Sequence, residues 1–291
     1  MNSKRLGDTD VELPEIGFGT FYYKGGTEPL REAVRLGASL IDTAEVYGTE
    51  EVIGSAIKGI RDRVFLATKV SPTHFRRPDV LRAAEGSLER LQTDHIDLYQ
   101  LHRPNYTIPI EETMAAMEEL VDRGQVRFIG VSNFSVRELK KAQAALSRYR
   151  IVANQVRYSL VDRTIETDLL EYCQRNRITV IAYSPLGRGL DHLKEMDPSN
   201  TLDTVAVNVG KTIAQVVLNW CISKDGVIAI PKADLIGHVE EDCGASGWGL
   251  PAAEEQLLEQ VIACRRRGYV VSGARRLARR CLQRLRYRNA F

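Results

Sequence analysis

Polar side chains that can bind a ligand or move a proton stand at the ends of successive short apolar runs in this chain. Asp42 closes one run, and Tyr47 follows it by five residues, just before Gly48. Lys69, His102 and the pair Ser132 and Asn133 close the next three. Gln155, the pair Tyr183 and Ser184, and Lys232 follow in order. Taken singly, each has an ordinary role: a solvated aspartate or lysine, a satisfied histidine, a packing tyrosine. At successive run ends they suit the binding of a polar cofactor and the transfer of a proton. Spacing alone leaves the reaction open.

The elements that position these groups are legible in the hydrophobic pattern. The apolar runs read as strands are Ile16–Gly19, Leu40–Asp42, Val64–Thr68, Ile96–Leu101, Phe128–Val131, Ala153–Val156, Thr179–Tyr183 and Val227–Ile230. Consecutive apolar positions are how strands buried on both faces read, as in a parallel sheet. Helical stripes lie between them: Val80, Leu81, Ala84, Leu88 and Leu91 form one, and Ile110, Met114, Met117, Leu120 and Val121 another. Ser135 and Glu138 have capping-box spacing, and Thr212 opens a further helix. Repeated strand–helix units predict an α/β fold with a parallel sheet, and eight strands can close it into a (β/α)8 TIM barrel. Reactive groups of such barrels gather at the C-terminal strand ends. An open doubly wound sheet is the alternative, but Gly17-Phe-Gly19 runs on to Tyr22 where its dinucleotide fingerprint needs glycine. Residues 1–14, around Gly7-Asp8, predict a β-hairpin in front of the barrel.

Composition narrows the classes. A chain of 291 residues fits one barrel, and 44% hydrophobic with 27% charged residues is a globular balance. No apolar run reaches the roughly 18 residues that cross a bilayer. No signal-peptide stretch lies in residues 1–12, so a cytoplasmic location is expected. The five cysteines, Cys173, Cys221, Cys243, Cys264 and Cys281, include no C-x-x-C pair, so neither a disulfide framework nor a metal site is expected. The net charge of +2 is no nucleic-acid footprint, but charge is uneven. The expected division is a barrel over 1–264 and a basic tail over 265–291, which carries Arg265, Arg266, Arg267 and further arginines. Leu277, Cys281 and Leu285 form an apolar stripe in it. Such a tail suits an anionic surface, a partner or nucleic acid, or is simply a solvated end.

At the polar run ends the sequence resembles the aldo-keto reductase family. The stretch Gly37 to Gly54, containing Asp42-Thr-Ala-Glu-Val-Tyr47-Gly, is similar to the family's first signature, departing from it at Ala38 and Ser39. Leu91 to His102 resembles the segment leading to the family histidine, and Gly130-Val-Ser-Asn-Phe134 and Ile230-Pro-Lys232 resemble two further motifs. The similarity runs from about Leu6 to about Val239. It implies carbonyl–alcohol interconversion by hydride transfer from a nicotinamide cofactor, on a small substrate, by a monomer or weak oligomer, with no metal. It implies a catalytic set of Asp42, Tyr47, Lys69 and His102. Tyr47 is then the general acid or base, and a neighbouring Lys69, held by Asp42, is expected to lower a phenol value of about 10. His102, neutral, orients the carbonyl. The resemblance also implies that Ser132, Asn133 and Gln155 hold the carboxamide, that Tyr183 stacks on the ring, and that Thr20, Ser184, Leu186, Gly187 and Arg188 line ribose and pyrophosphate.

The chain departs from the family at the adenosine end. His238 stands six residues after Lys232, where many members have arginine, and Asp242 stands where many have asparagine. Histidine lacks arginine's bidentate grip on phosphate, and a close Asp242 would repel it. NADP(H) therefore stands first as cofactor, with NAD(H) also open. Phe21, Tyr22 and Tyr106 are expected to line the substrate pocket, and Arg103, beside His102, suits a substrate carboxylate or phosphate. The segment from Leu190 to Asn200 reads as a short loop that leaves the mouth open. A nicotinamide-binding regulatory or partner protein with little turnover is the second reading.

Overall fold

The computed structural model describes residues 1–187 and 189–265. The strands are β1 (Ser3–Arg5), β2 (Glu12–Pro14), β3 (Phe18–Gly19), β4 (Leu40–Asp42), β5 (Phe65–Val70), β6 (Ile96–Leu101), β7 (Val126–Ser132), β8 (Ile151–Arg157), β9 (Thr179–Tyr183) and β10 (Val227–Ile230). The helices are α1 (Glu28–Arg35), α2 (Glu50–Ile57), α3 (Arg77–Leu91), α4 (Ile110–Asp122), α5 (Val136–Ala144), α6 (Leu169–Arg175), α7 (Leu190–Glu195), α8 (Thr201–Val209), α9 (Ile213–Ile222), α10 (Ile236–Cys243) and α11 (Ala252–Val261).

β3 to β10 pair in chain order, every pair parallel, so the expected (β/α)8 barrel is the fold. The ring closes between β3 and β10. Ile16 bridges Ala229, and Gly19 donates its N–H to the Pro231 carbonyl (2.8 Å). The run read as one strand over Ile16–Gly19 thus divides its bonds: its first half pairs with β10, and only Phe18 and Gly19 pair with β4. Closure needs Gly19 itself, because a Cβ there would stand 2.8 Å from the Ile230 carbonyl oxygen.

The barrel interior has two levels. Below, Leu40, Phe65, Ala67, Leu98, Ala153, Ile181 and Ile228 form an apolar layer. The antiparallel hairpin of β1 and β2 pushes Leu6 and Leu13 into that layer and stoppers the N-terminal end, as residues 1–14 predicted. Side chains alternate faces along a strand. The next inward position up β4, β5, β6, β8 and β9 is therefore Asp42, Lys69, Gln100, Gln155 and Tyr183. A layer of polar groups sits one step above a layer of hydrocarbon. Gly130 of β7 makes room for it: a Cβ there would press on Gln100 Cγ at 2.9 Å.

The helices pack outside the sheet through the stripes read from sequence. Val80, Leu81, Ala84, Leu88 and Leu91 of α3 are buried, as are Met114, Met117 and Leu120 of α4. Capping boxes open α5 (Ser135 with Glu138) and α9 (Thr212 with Gln215). The segment after β9 differs from its reading as a loop: Leu190–Glu195 forms α7, anchored by fully buried Leu193. No single helix among the described residues is long and apolar enough to cross a membrane. Residues 266–291 and Arg188 lie outside the described residues, and with them the arginine-rich stripe and one expected pyrophosphate contact.

Candidate active site

Four of the expected residues meet at the C-terminal mouth. The Lys69 ammonium is fully buried and donates to Asp42 Oδ2 (2.6 Å) and to the Thr43 carbonyl (2.7 Å). Burial pulls its pKa down, while the Asp42 carboxylate pulls the other way. Tyr47 lies on a 3-10 turn, Glu45–Tyr47, that ends in the left-handed Gly48. The turn sets its hydroxyl 3.3 Å from His102 Nε2 and its ring centroid 4.9 Å from Lys69 Nζ. His102 lies immediately beyond β6, and its N–H donates to the Val70 carbonyl at the end of β5 (3.1 Å).

The electrostatics depart from expectation at Tyr47. Lysine was expected to lower the phenol. Burial, and then the negative charge of Asp42, instead push it well above the usual tyrosine range. The reason is geometric: Lys69 faces the ring and spends its hydrogen bonds on Asp42 and Thr43. Tyr47 is therefore a protonated donor in the free protein. His102 moves down to about 4, through burial first and then the cations Lys69 and Arg103, so it is neutral at ordinary pH.

The sequence reading missed Gln100. Its amide donates to Asp42 Oδ1 (3.1 Å), beside that of Gln155 (2.7 Å), so one carboxylate gathers an ammonium and two amides. The signal was available: Gln100 precedes His102 by two, on the inward face of β6. Glu50 was also missed. It is buried at the start of α2, where it takes Thr68 Oγ1 (2.7 Å) and Arg90 Nε (2.7 Å) and adds a second negative charge near Lys69.

The expected nicotinamide contacts form a second cluster beside the first. Ser132 Oγ donates to the Gln155 carbonyl (2.9 Å). Asn133 donates to the His102 carbonyl (3.2 Å) and accepts from the Tyr183 hydroxyl (2.9 Å), which fixes the half-buried ring. Arg157 lies over one face of that ring, 5.7 Å from its centroid. Asn133 (φ 62°), Ser184 (φ 51°) and Tyr22 (φ 59°) all have left-handed backbones. Each such residue costs about 1–3 kcal/mol and is found where surrounding structure over-determines it, commonly at ligand sites. Thr20 is fully buried, with its hydroxyl spent on the Asp42 carbonyl (2.9 Å) and on Thr49 (3.0 Å). Leu186 packs against the main core, and Gly187 turns the chain at φ 67°.

On the substrate side, Phe21 packs on Tyr47 (5.0 Å between centroids) and Tyr22 on Phe21 (4.1 Å), with Phe21 and Tyr22 largely exposed. Arg103 is exposed beside His102. The Tyr106 hydroxyl is engaged by Glu138 of the α5 capping box. At the expected adenosine end, Lys232 and His238 are exposed, whereas Asp242 is buried. Burial, and then Glu241, raise the Asp242 carboxyl to about 8, so at neutrality it is mostly uncharged and is a weak source of the repulsion its residue type suggests.

The chain matches the model of the aldo/keto reductase family over residues 15–263. It is 39% identical over 261 residues to methylglyoxal reductase YeaE of Escherichia coli (strain K12), a match covering 86% of this chain and 92% of that protein. It is similar to the solved structure of a thermostable aldo-keto reductase, Tm1743, in complex with epalrestat. There the TM-score is 0.83 at 44% identity, covering 90% of this chain and 100% of that one. An aldo/keto reductase from Klebsiella pneumoniae in complex with NADP and acetate gives a TM-score of 0.82 at 39% identity, covering 91% of this chain and 96% of that one.

Proposed function

Because the chain belongs to the aldo/keto reductase family, and so reduces carbonyl groups with a nicotinamide cofactor, we propose that Tyr47 is its proton donor and that small reactive aldehydes, 2-oxoaldehydes among them, are its substrates. The observation that carries the reading is the contact of Tyr47 Oη with His102 Nε2 (3.3 Å), beside a Lys69 ammonium held by Asp42.

Ser132, Asn133 and Gln155, with the flat face of Tyr183, fit a carboxamide-bearing ring. The turns at Ser184 and Gly187 suit the pyrophosphate. Lys232, beside a first turn of α10 that has no side-chain cap, suits a phosphate at the adenosine end. NADP(H) stands first, as in the Klebsiella pneumoniae complex. When bound, the reduced cofactor supplies the hydride that the carbonyl carbon accepts. Neutral His102 offers the carbonyl oxygen a hydrogen bond without adding a competing proton source. Tyr47 gives its proton to that oxygen as the C–H bond forms, leaving a phenolate. The Lys69 charge stabilises the phenolate, and Asp42, braced by Gln100 and Gln155, holds the ammonium in place. Phe21 and Tyr22 extend an aromatic wall from Tyr47 for the organic part of the substrate. The exposed Arg103 suits an anionic substituent. The methylglyoxal reductase of Escherichia coli supports the 2-oxoaldehyde class. A single chain working in the cytoplasm completes the proposal, and free thiols at Cys173, Cys221, Cys243 and Cys264 suit a reducing compartment. The reading as a binding protein with little turnover is not favoured, because the four reacting side chains stand in mutual contact.

The test is consumption of NADPH at 340 nm with methylglyoxal, wild type beside Tyr47→Phe, with cofactor affinity measured separately. Turnover is expected to fall by about 10²–10⁴-fold in the variant, with affinity within about twofold. A wild type that binds NADPH but turns over no aldehyde in a broad panel would overturn the proposal.

A further inference from the structure

Lys232 is not a free cation. The carboxylate of Asp234, two residues on, pairs with it, and Asp234 Oδ1 also accepts the backbone N–H of Lys24 (2.9 Å), between β3 and α1. One side chain thus occupies the lysine and joins two loops at the mouth. Partial burial works against its charge, but Lys232 and the Lys24 amide outweigh this and keep the carboxyl below its ordinary range. The surroundings are open: a Cβ at Gly237 would meet nothing within 4 Å, and His238 is exposed in the first turn of α10. Lysine, uncapped helix amides and histidine all favour an anion, and an anion is already built in.

We propose that Asp234 is a resident counter-anion that a phosphate monoester must displace from Lys232, so that this residue sets how strongly the protein prefers phosphorylated over unphosphorylated dinucleotide. The inference rests on reading Lys232 as the cation of the phosphate end. A ribose bearing a phosphate either separates the pair or brings two negative charges together. A ribose bearing a hydroxyl does neither, and can donate a hydrogen bond to the carboxylate. A largely solvated, salt-screened charge contact such as this partly exposed pair corresponds to about a tenfold change in affinity.

The test is calorimetric titration of the full chain with NADPH and with NADH, at one fixed ionic strength. Asp234→Asn removes the charge and keeps an acceptor for the Lys24 amide; Lys232→Met removes the cation. Asp234→Asn is expected to tighten NADPH about tenfold and to move NADH less than about threefold. Lys232→Met is expected to lower the NADPH-to-NADH preference. If Lys232→Met lowers the preference while Asp234→Asn leaves it unchanged, the inference about Asp234 is overturned and the placement of phosphate stands. If Lys232→Met leaves the preference unchanged, the placement fails and takes the inference with it. If Asp234→Asn weakens both nucleotides and lowers the melting temperature, the carboxylate is a loop latch alone and the inference is overturned.

Discussion

The floor of the barrel mouth and its outer rim beside α10 are built on opposite principles. On the floor, Asp42 accepts from Lys69, Gln100 and Gln155, and the ammonium also holds the Thr43 carbonyl, all of it buried. On the rim, Lys232 and Asp234 form a partly exposed pair, His238 is exposed, and Asp242 is a buried carboxyl with no cationic partner among the described residues. Each floor group is fixed by several others, so the proton chemistry cannot vary one residue at a time. The rim groups are loosely coupled, so the nucleotide preference proposed to reside there can drift while the floor stays intact. Of the departures from the family pattern, Ala38 and Ser39 precede β4 and His238 and Asp242 fall on the rim, and the floor is left complete.

The comparison is broken most directly at Lys69. Lys69→Met leaves Asp42 buried and unpaired, so reduction is expected to fall by more than about 10²-fold and stability by about 3 kcal/mol. Adding Asp42→Asn should restore stability in urea titrations and leave turnover low. If Lys69→Met alone melted like wild type, the floor would not be the coupled unit described. Asp242→Asn sharpens the contrast on the rim. The Asp242 carboxyl is raised to about 8, so the folded state binds a proton that the unfolded chain releases near pH 4. Its contribution is intact at low pH and is lost as pH rises toward and through 8. The amide should therefore stabilise by several kcal/mol at pH 8 and by much less at pH 5, and thermal melts at both values check this. An equal gain at both would mean that the carboxyl is not held neutral. The smallest effect is an expected absence of change. With His102 at about 4 in the fold, protonation of this ring should not slow reduction between about pH 8 and 5. A pH–rate profile with a His102-dependent midpoint near 6.5 would contradict it. The same depression means that stability from the neutral ring is lost as pH falls from 6.5 toward 4.

Much of this was legible before any coordinates. β4, β6, β9 and β10 have the bounds their apolar runs give, because strands buried on both faces leave uninterrupted hydrophobic text. The N-terminal strand was misread because its residues share their bonds between two neighbours, which no run of letters distinguishes. α7 was missed because six residues around one buried Leu193 show too little periodicity. On the floor, strand-end position marks Asp42, Tyr47, Lys69 and His102 among a longer set of polar candidates, and the family resemblance singles these four out. Gln100 escapes a reading of strand ends because it lies inside β6, although its inward phase two residues before His102 marks it. The direction of the Tyr47 shift depended on which atom of the phenol faces Lys69, and the neutrality of Asp242 on its depth. Both are distances that composition cannot supply. The left-handed backbones at Tyr22 and Ser184 run against residue preference and were equally invisible.

The hairpin that closes the lower end of the barrel also governs traffic. With Leu6 and Leu13 sealed into the hydrocarbon layer, the described residues leave the buried ammonium and carboxylate no opening at the lower end. On the proposed mechanism, the proton that Tyr47 gives up must return by the opening through which substrate enters and product leaves. Recharging the acid and clearing the product are therefore queued at one gate, and a bulky product that lingers there delays the next proton as well as the next substrate.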